Sequence, residues 1–411
     1  MARVCVIGGG TAGTQAALEA ACMGAEVTIV DRLDTPEPPW KAWPDLIHPR
    51  PRGREAPDSH VFRCSQSWAS ILTSEVRSAS RGAITTSEGR KAGFDSVVVA
   101  TGCFFEPATL PGFRKSGVFV LDGARKYAEV GRAISSVEEV LVAGEGFRGL
   151  EAAEKLGGRG RRVSLIVSHW QWEAPSPVAF QVIVEAAQEK GVRVLGGTLT
   201  RAVGAGMVEA VVADGSVLPC DALVIVPRRV PRMIQVEARR GSRGGLLVDR
   251  LMKTSAESTY AAGGCAELEG AIPPRATLER EAGLSGRIAG SNCMGTKHAI
   301  GLVRFNELYV FGLRWTRVGM GPVSARASGL VVSDVERRWG RTSACSVAYE
   351  RFTGRVMGVE SVEATNISPV SLPPLESGAT LKTLAFSGLG SSDISLVSET
   401  ARLGIGSWPR S

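Results

Sequence analysis

Residues 3–31 read RVCVIGGGTAGTQAALEAACMGAEVTIVD, and the order of residue types in this stretch decides the fold. Val4, Val6 and Ile7 make a short β-branched run, three glycines follow at once, and an alanine-rich segment of good helix formers comes next. Val27–Val30 is a second apolar run that stops on Asp31. Strand, glycine turn, helix and strand make a βαβ unit, and Gly8, Gly10 and Gly13 give it the spacing G-x-G-x-x-G. Gly8 permits the tight turn, Gly10 lets the backbone approach a pyrophosphate, and Gly13 lets the helix lie close against the strand. The helix N-terminus supplies free N–H groups and a positive dipole end for phosphates. Asp31 stands 23 residues after Gly8, near the roughly 20-residue spacing at which an acid holds ribose hydroxyls.

The same pattern returns 136 residues later. Val140–Ala143 is an apolar strand, residues 144–149 (GEGFRG) repeat the glycine spacing, Leu150–Leu156 is helical, and Val163–Val167 is the following strand. Two such units predict two nucleotide-binding domains. Between them, residues 35–57 hold seven prolines and two tryptophans, a density of φ-locked residues that excludes a helix or a central strand and predicts a surface loop. Ser96–Ala100 reads as a strand leading into Thr101-Gly102, Phe180–Lys190 as a helix, and Ala222–Val226 as a buried strand. Thr259–Ala262 is strand-like and meets Gly263-Gly264, and Leu278–Ala289 is helical. Past residue 301 strands dominate, with a hairpin of Ser343–Tyr349 and Arg355–Glu363 around Thr353-Gly354. Near the end, Asp393 caps a helix through Leu403 that Gly404 stops.

At about 150 residues per domain, 411 residues make two or three domains. No apolar run reaches the roughly 18 residues of a membrane-spanning helix, and the N-terminal run is shorter than a signal peptide. Eight cysteines are scattered without a C-x-x-C pair, so neither a zinc site nor a disulfide framework is expected, and reduced thiols suit a cytoplasmic protein. The net charge is +7, and arginines gather at 228, 229, 232, 239, 240 and 243. The run reads as a solvated loop; the absence of interleaved aromatic residues argues against a single-strand stacking platform, and no nucleic-acid partner is expected.

In this order, the motifs Gly8-Gly9-Gly10-Thr11-Ala12-Gly13, Ala100-Thr101-Gly102, Gly144-Glu145-Gly146-Phe147-Arg148-Gly149-Leu150-Glu151 and Tyr260-Ala261-Ala262-Gly263-Gly264-Cys265-Ala266 resemble the pyridine nucleotide-disulfide oxidoreductase family, nearest its NADH oxidase and coenzyme A-disulfide reductase branch. The resemblance implies an α/β fold of two Rossmann-like dinucleotide-binding domains, one inserted in the other, plus a C-terminal α+β domain. It assigns residues 1–125 and 245–300 to FAD, 126–244 to NAD(P)H, and 301–411 to dimerisation. It also implies hydride transfer from nicotinamide to flavin and onward to an acceptor. Gly8, Gly10, Thr11, Ala12, Gly13, Asp31, Ala100, Thr101, Gly102, Gly263 and Gly264 would then serve FAD, and Gly144, Gly146, Phe147, Arg148 and Gly149 the nicotinamide nucleotide.

Three departures stand against that pattern. The loop after the first βαβ unit carries Trp40 and Lys41 where relatives carry a redox cysteine, with no thiol between Cys22 and Cys64. Gly264 replaces the aspartate that in relatives accepts a hydrogen bond from the ribityl chain. Val226-Pro227-Arg228-Arg229-Val230-Pro231 lacks the glycine found where relatives cross back into the FAD domain.

The resemblance places Glu151 near flavin and nicotinamide and makes it one catalytic candidate; Lys41, reaching the flavin from the proline-rich loop, is the other. Trp40 and Trp43 either shield the flavin ring or staple the loop. Ser168 stands 24 residues after Gly144, where no acid repels a 2′-phosphate, which leans toward NADPH. Arg161 and Arg162 precede the strand and so fall at the wrong end for that phosphate. The leading expectation is an FAD-dependent NAD(P)H oxidoreductase without a redox disulfide, passing electrons to a quinone, oxygen or an acidic redox protein. The alternatives are a thiol or disulfide reductase using a relocated Cys64 or Cys103, and a non-catalytic subunit that keeps the fold. A homodimer is expected, and no metal.

Overall fold

The structure is a computed structural model that describes residues 1–32, 69–105, 110–121, 124–144, 146–157, 160–167, 174–270, 279–301, 305–362, 380 and 401. The proline-rich segment with Trp40, Lys41 and Trp43, together with Cys64, Ser168 and the helix expected from Asp393 (Ala401 excepted), lies outside the described residues. The chain forms two compact units: Met1–Phe105 with Arg229–Leu302, and Glu106–Arg228 with Val303–Ser411.

The first unit is built on a parallel sheet whose central strand is Arg3–Ile7. Glu26–Asp31 and then Ser70–Thr73 lie on one side of it, and Ser96–Val99 and then Thr259–Ala261 on the other. The inner strands are continuous runs of valine and isoleucine because both faces are covered, and Val4, Val6, Val97, Val98 and Val99 are fully buried. The helices Thr11–Cys22 and Glu279–Asn292 pack in near backbone contact. A Cβ at Gly286 or Gly290 would sit 2.2 Å from the carbonyl oxygen of Ala12 or Ala16, respectively. Alanine on one helix and glycine on the other are what allow this approach.

The second unit repeats the plan. Glu139–Gly144 is central in a parallel sheet, flanked on one side by Arg162–Val167 and Val192–Gly196 and on the other by Ala222–Val226 and Val118–Val120. In both units a three-stranded antiparallel meander precedes the strand that returns beside the centre. It is Val76–Ser80, Ala83–Thr86 and Lys91–Gly93 in the first unit, and Leu199–Val203, Ala210–Ala213 and Ser216–Pro219 in the second. The chain therefore leaves the central strand in one direction and comes back on the other side. That reversal of strand order opens a crevice at the carboxyl ends of the strands, where ligands bind in open α/β sheets.

Residues 305–362 form a five-stranded antiparallel sheet that shares the second unit's core through Leu308, Val310, Trp315 and Val362. The expected hairpin is present as Ser343–Glu350 and Val356–Val362. The helix Pro177–Glu189, capped by Ser176 with proline at its first position, supports this sheet. Arg338 binds Glu185 through both Nη atoms, at 2.9 and 2.5 Å. The arginine-rich segment is not a plain loop, because Arg229–Pro231 pairs with Cys103–Phe105 as an antiparallel ribbon. Among the described residues no helix is long and apolar enough to cross a membrane, and no three His, Cys, Asp or Glu side chains gather as metal ligands.

Candidate functional site

Steric demands explain the first glycine cluster residue by residue. Gly8 has φ +107°, and a Cβ there would fall 2.3 Å from the Ala100 carbonyl oxygen. A Cβ at Gly13 would meet the Gly8 carbonyl oxygen at 1.8 Å, so only glycine lets the helix approach the strand. Gly10 differs from both: its Cβ position has no atom within 4 Å and faces open space. The first two glycines are required by the chain itself, whereas the third leaves room for something else.

That room is a cavity of about 740 Å³ within the first unit, inside the size range of small-molecule sites. Gly8, Gly9, Gly10, Asp31 and Thr101 line it, so five residues separated by up to 93 positions meet at the strand ends. The Gly9 N–H donates to Asp31 Oδ2 at 2.5 Å, which holds the acid against the glycine turn. Thr101 Oγ1 donates to the Arg232 carbonyl at 2.6 Å, and Arg232 N–H returns a bond to Gly102 O at 2.9 Å. Gly102 has φ +71°, which this tight exchange requires.

Gly263 and Gly264 close on the same region. Gly263 has φ +73° and donates its N–H to Ser285 Oγ at 3.1 Å, while a Cβ on it would press Ala12 Cβ at 2.7 Å. A Cβ at Gly264 would come within 3.3 Å of Cys103 Cβ, Cys103 N and Gly102 C. Cys103 thus stands beside the position where relatives carry the aspartate, and it also lines the cavity.

Sequence reasoning missed the cavity's cations. Arg32, Arg77, Arg232 and Arg240 line it beside the acids Asp31 and Glu75, a balance of about two positive charges. Arg232 also lies over the Phe104 ring, 5.6 Å from its centroid. The arginine cluster was visible in the sequence, but its use depends on the ribbon of Arg229–Pro231 with Cys103–Phe105. Nothing in the spacing of so short a strand announces that pairing.

In the second unit Gly144 and Gly149 repeat the close approach. A Cβ on Gly144 would sit 2.9 Å from Val226 Cβ, and one on Gly149 3.3 Å from Gly144 O. The helix Gly146–Leu156 begins on a glycine at φ +53°, four residues before the apolar run that announced it. Phe147 is buried and packs on Trp315, and Arg148 Nη1 donates to the Pro227 carbonyl at 2.9 Å. Glu151 is partly buried on the same helix. Lys41 lies outside the described residues.

The thiols divide clearly. Burial pushes Cys5, Cys220 and Cys293 up to about 12, and raises Cys265 as well. At neutral pH these four carry almost no thiolate, the form that does redox chemistry.

The model of the family described as "Pyridine nucleotide-disulphide oxidoreductase" matches residues 2–285. The chain belongs to this family. Members bind FAD and NAD(P)H, and the first cavity fits such a dinucleotide. Gly10 leaves its face open, Asp31 lines the cavity at the end of its strand, and the surplus of about two positive charges suits an anionic group such as a pyrophosphate. Among curated relatives, the chain is 30% identical over 216 residues to the NAD(P)H sulfur oxidoreductase (CoA-dependent) of Pyrococcus abyssi, covering 49% of this chain and 48% of that protein. It is 28% identical over 192 residues to the rubredoxin-NAD(+) reductase of Pseudomonas putida, covering 45% and 50%. These matches span about half the length of each relative. The solved NAD-dependent persulfide reductase from A. fulgidus shares the fold over 98% of this chain and 83% of its own, with a TM-score of 0.80 at 23% identity.

Proposed function

We propose that this protein is an FAD-dependent NAD(P)H oxidoreductase that works without a redox disulfide and hands electrons to a small acidic redox protein. The observation that carries the first half is the cavity at the Gly8–Gly10 turn, where an open glycine face, Asp31 and four arginines converge. When bound, FAD supplies the chemistry of accepting a hydride and releasing electrons. The chain's own groups do the holding. The turn and the N-terminus of the helix Thr11–Cys22 receive the pyrophosphate, Asp31 accepts from ribose hydroxyls, and Thr101 and Gly102 keep Arg232 against the cavity. The second glycine turn and the helix Gly146–Leu156 form the corresponding cradle for NAD(P)H.

Two features support the choice of acceptor. The position where relatives keep the redox thiol is Trp40-Lys41, so a persulfide or disulfide acceptor has no nucleophile in the usual place. The net charge of +7 favours capture of an acidic partner, and one curated relative is named for a rubredoxin.

The decisive experiment is purification with a visible spectrum, followed by anaerobic reduction with NADH or NADPH. A yellow protein bleached by the nucleotide and reoxidised by an acidic carrier, with a rate that falls as salt rises, is expected. A colourless protein that takes up no added FAD overturns the reading. A flavoprotein reoxidised only by a thiol or disulfide overturns the acceptor alone.

A further inference from the structure

The carboxyl-terminal sheet buries a row of polar side chains that no part of the proposed reaction uses. Arg317 on the strand Leu313–Gly319 stands opposite Glu360 on Val356–Val362, and Glu360 stands opposite Ser346 on Ser343–Glu350. Ser346 in turn stands opposite Glu336 on the strand Val332–Trp339. Directly opposed residues share a face, so the four side chains form one line across four strands. Arg317, Glu360 and Ser346 are almost fully buried, and Glu336 is half-buried.

The charges along this row pair off with one acid left over. Glu360 Oε2 lies 3.6 Å from Arg317 Nε, whose guanidinium also donates through Nη2 to Ala174 O at 3.0 Å. Asp334 pairs with Arg326 of the helix Pro322–Ala327, and Glu185 of the helix Pro177–Glu189 takes Arg338. Glu336 pairs with no cation among the described residues. Burial first, then the charges of Asp334 and Glu360, raise its proton affinity above the ordinary 4.5, against the Val178 N–H and Ser176 hydroxyl, which favour the anion. Glu336 Oε1 and Ser346 Oγ, on opposed residues, are both buried without a hydrogen-bond partner. An unused acceptor beside an unused donor gives the row a second arrangement to move into.

Glu360 links this row to the second glycine turn. Its Oε1 accepts from Trp315 Nε1 at 2.6 Å and from Ser176 N at 3.0 Å. The Trp315 ring packs on Phe147, the second residue of the helix Gly146–Leu156, with centroids 4.2 Å apart.

We propose that the row is a proton-sensitive positioning device for the nicotinamide nucleotide, in which neutral Glu336 lets Glu360 hold Trp315 against Phe147 and ionised Glu336 displaces Glu360 toward Arg317. This rests on the reading of the second glycine turn as the NAD(P)H cradle. With Glu336 neutral, each remaining charge of the row has its partner and the brace is firm. As pH rises, Glu336 loses its proton to solvent, its anion repels Glu360 and draws the Ser346 hydroxyl, and the grip on Trp315 loosens. Nucleotide affinity therefore falls as pH rises.

The test reads the switch and the nucleotide separately. In the full chain with FAD added and tryptophan isotopically labelled, the Trp315 indole N–H resonance, identified by its loss in Trp315→Phe, should shift in one step between pH 5 and pH 8. Glu336→Gln should abolish that step, and Asp334→Asn, which removes a neighbouring negative charge, should move it to lower pH. In fluorescence titrations NAD+ should bind wild type roughly fivefold more weakly at pH 8 than at pH 5. Glu336→Gln should keep the pH 5 affinity throughout. An indole resonance that stays fixed, or that moves equally in Glu336→Gln, overturns the proposal. So does an NAD+ affinity that changes alike with pH in wild type and Glu336→Gln. An indole step that Glu336→Gln abolishes, in a chain that binds no NAD+ at any pH, upholds the switch and overturns the nucleotide reading of the second glycine turn.

Discussion

The rings of Phe147 and Trp315 lie with centroids 4.2 Å apart and planes tilted by 43°. Phe147 is the second residue of the helix that carries the second glycine turn, and Trp315 belongs to the strand Leu313–Gly319 of the carboxyl-terminal sheet. Trp315 is in turn fixed on two sides. Its Nε1 donates to Glu360 Oε1 at 2.6 Å, and the Arg317 guanidinium lies 4.7 Å from its ring centroid. Glu360 also accepts from Ser176 N at 3.0 Å, so one buried carboxylate ties the sheet to the cap of the helix Pro177–Glu189. The first turn of the helix that follows the second glycine turn is thus braced by a residue 168 positions later in the chain.

Trp315→Ala should therefore cost about 3–5 kcal/mol of stability, since it empties a full aromatic volume from the core. It should also weaken NAD+ binding while leaving the FAD content unchanged. Trp315→Phe keeps a ring against Phe147 and should retain most of the nucleotide affinity. Denaturant unfolding and fluorescence titration with NAD+ check both variants.

The dependence of one unit's turn on a distant tryptophan marks where the sequence stops being readable. The glycine turns, their strands and the acid at Asp31 were legible because each is a local demand: a Cβ at Gly8 or Gly13 collides with backbone that the motif itself supplies. The parallel strands were legible as unbroken β-branched runs buried on both faces. Contacts set by tertiary pairing were not. Arg232 faces the cavity because a three-residue strand pairs across 126 positions, and Trp315 reads as an ordinary core residue until Phe147 is beside it. Arg161 and Arg162 look alike in sequence, yet among the described residues only Arg162 pairs with acids, Glu139 at 2.5 Å and Glu138 at 3.9 Å.

Asp31→Ala should release FAD. Its carboxylate accepts the Gly9 N–H in the structure and, on the proposed function, a ribose hydroxyl, so removal loses a charge-assisted bond worth roughly 1.5–3 kcal/mol. With no acid at Gly264 to share the task, retention should fall by one to two decades. The ratio of flavin to protein absorbance after dialysis reports it, and Asp31→Glu, which restores the charge, should recover part of the loss.

Gly264→Asp should not restore a tighter flavin site by itself. The new Cβ would press Cys103 Cβ and N and Gly102 C, all at 3.3 Å, against a backbone already committed to the Arg232 exchange. A destabilisation of about 1–3 kcal/mol is expected from such overpacking. Cys103→Gly combined with Gly264→Asp removes one of the colliding atoms and should be more stable than Gly264→Asp alone. The pair should therefore be non-additive in a double-mutant cycle read by unfolding midpoints.

Two carboxylates of the second unit respond to pH with opposite sign. On the strand Val332–Trp339, burial first and then the charge of Asp334 raise the proton affinity of Glu336 above its ordinary value of 4.5. Below that value the group is protonated folded or unfolded and contributes nothing. As pH rises past it, the unfolded chain releases the proton while the folded chain retains it, so stability falls until the folded group also ionises. Glu185 runs the other way, because its hydrogen bond with Arg338 lowers it to about 2, and the stability it adds is lost as pH falls from about 4.5 toward that value. Glu336→Gln, neutral at every pH, should therefore unfold at a higher denaturant concentration than wild type at pH 8. The gap should close at pH 4, and denaturant titrations at pH 4, 6 and 8 give the comparison. A gap that widened toward pH 4 would mean that Glu336 is stabilised as the anion, the reverse of what its burial beside Asp334 requires.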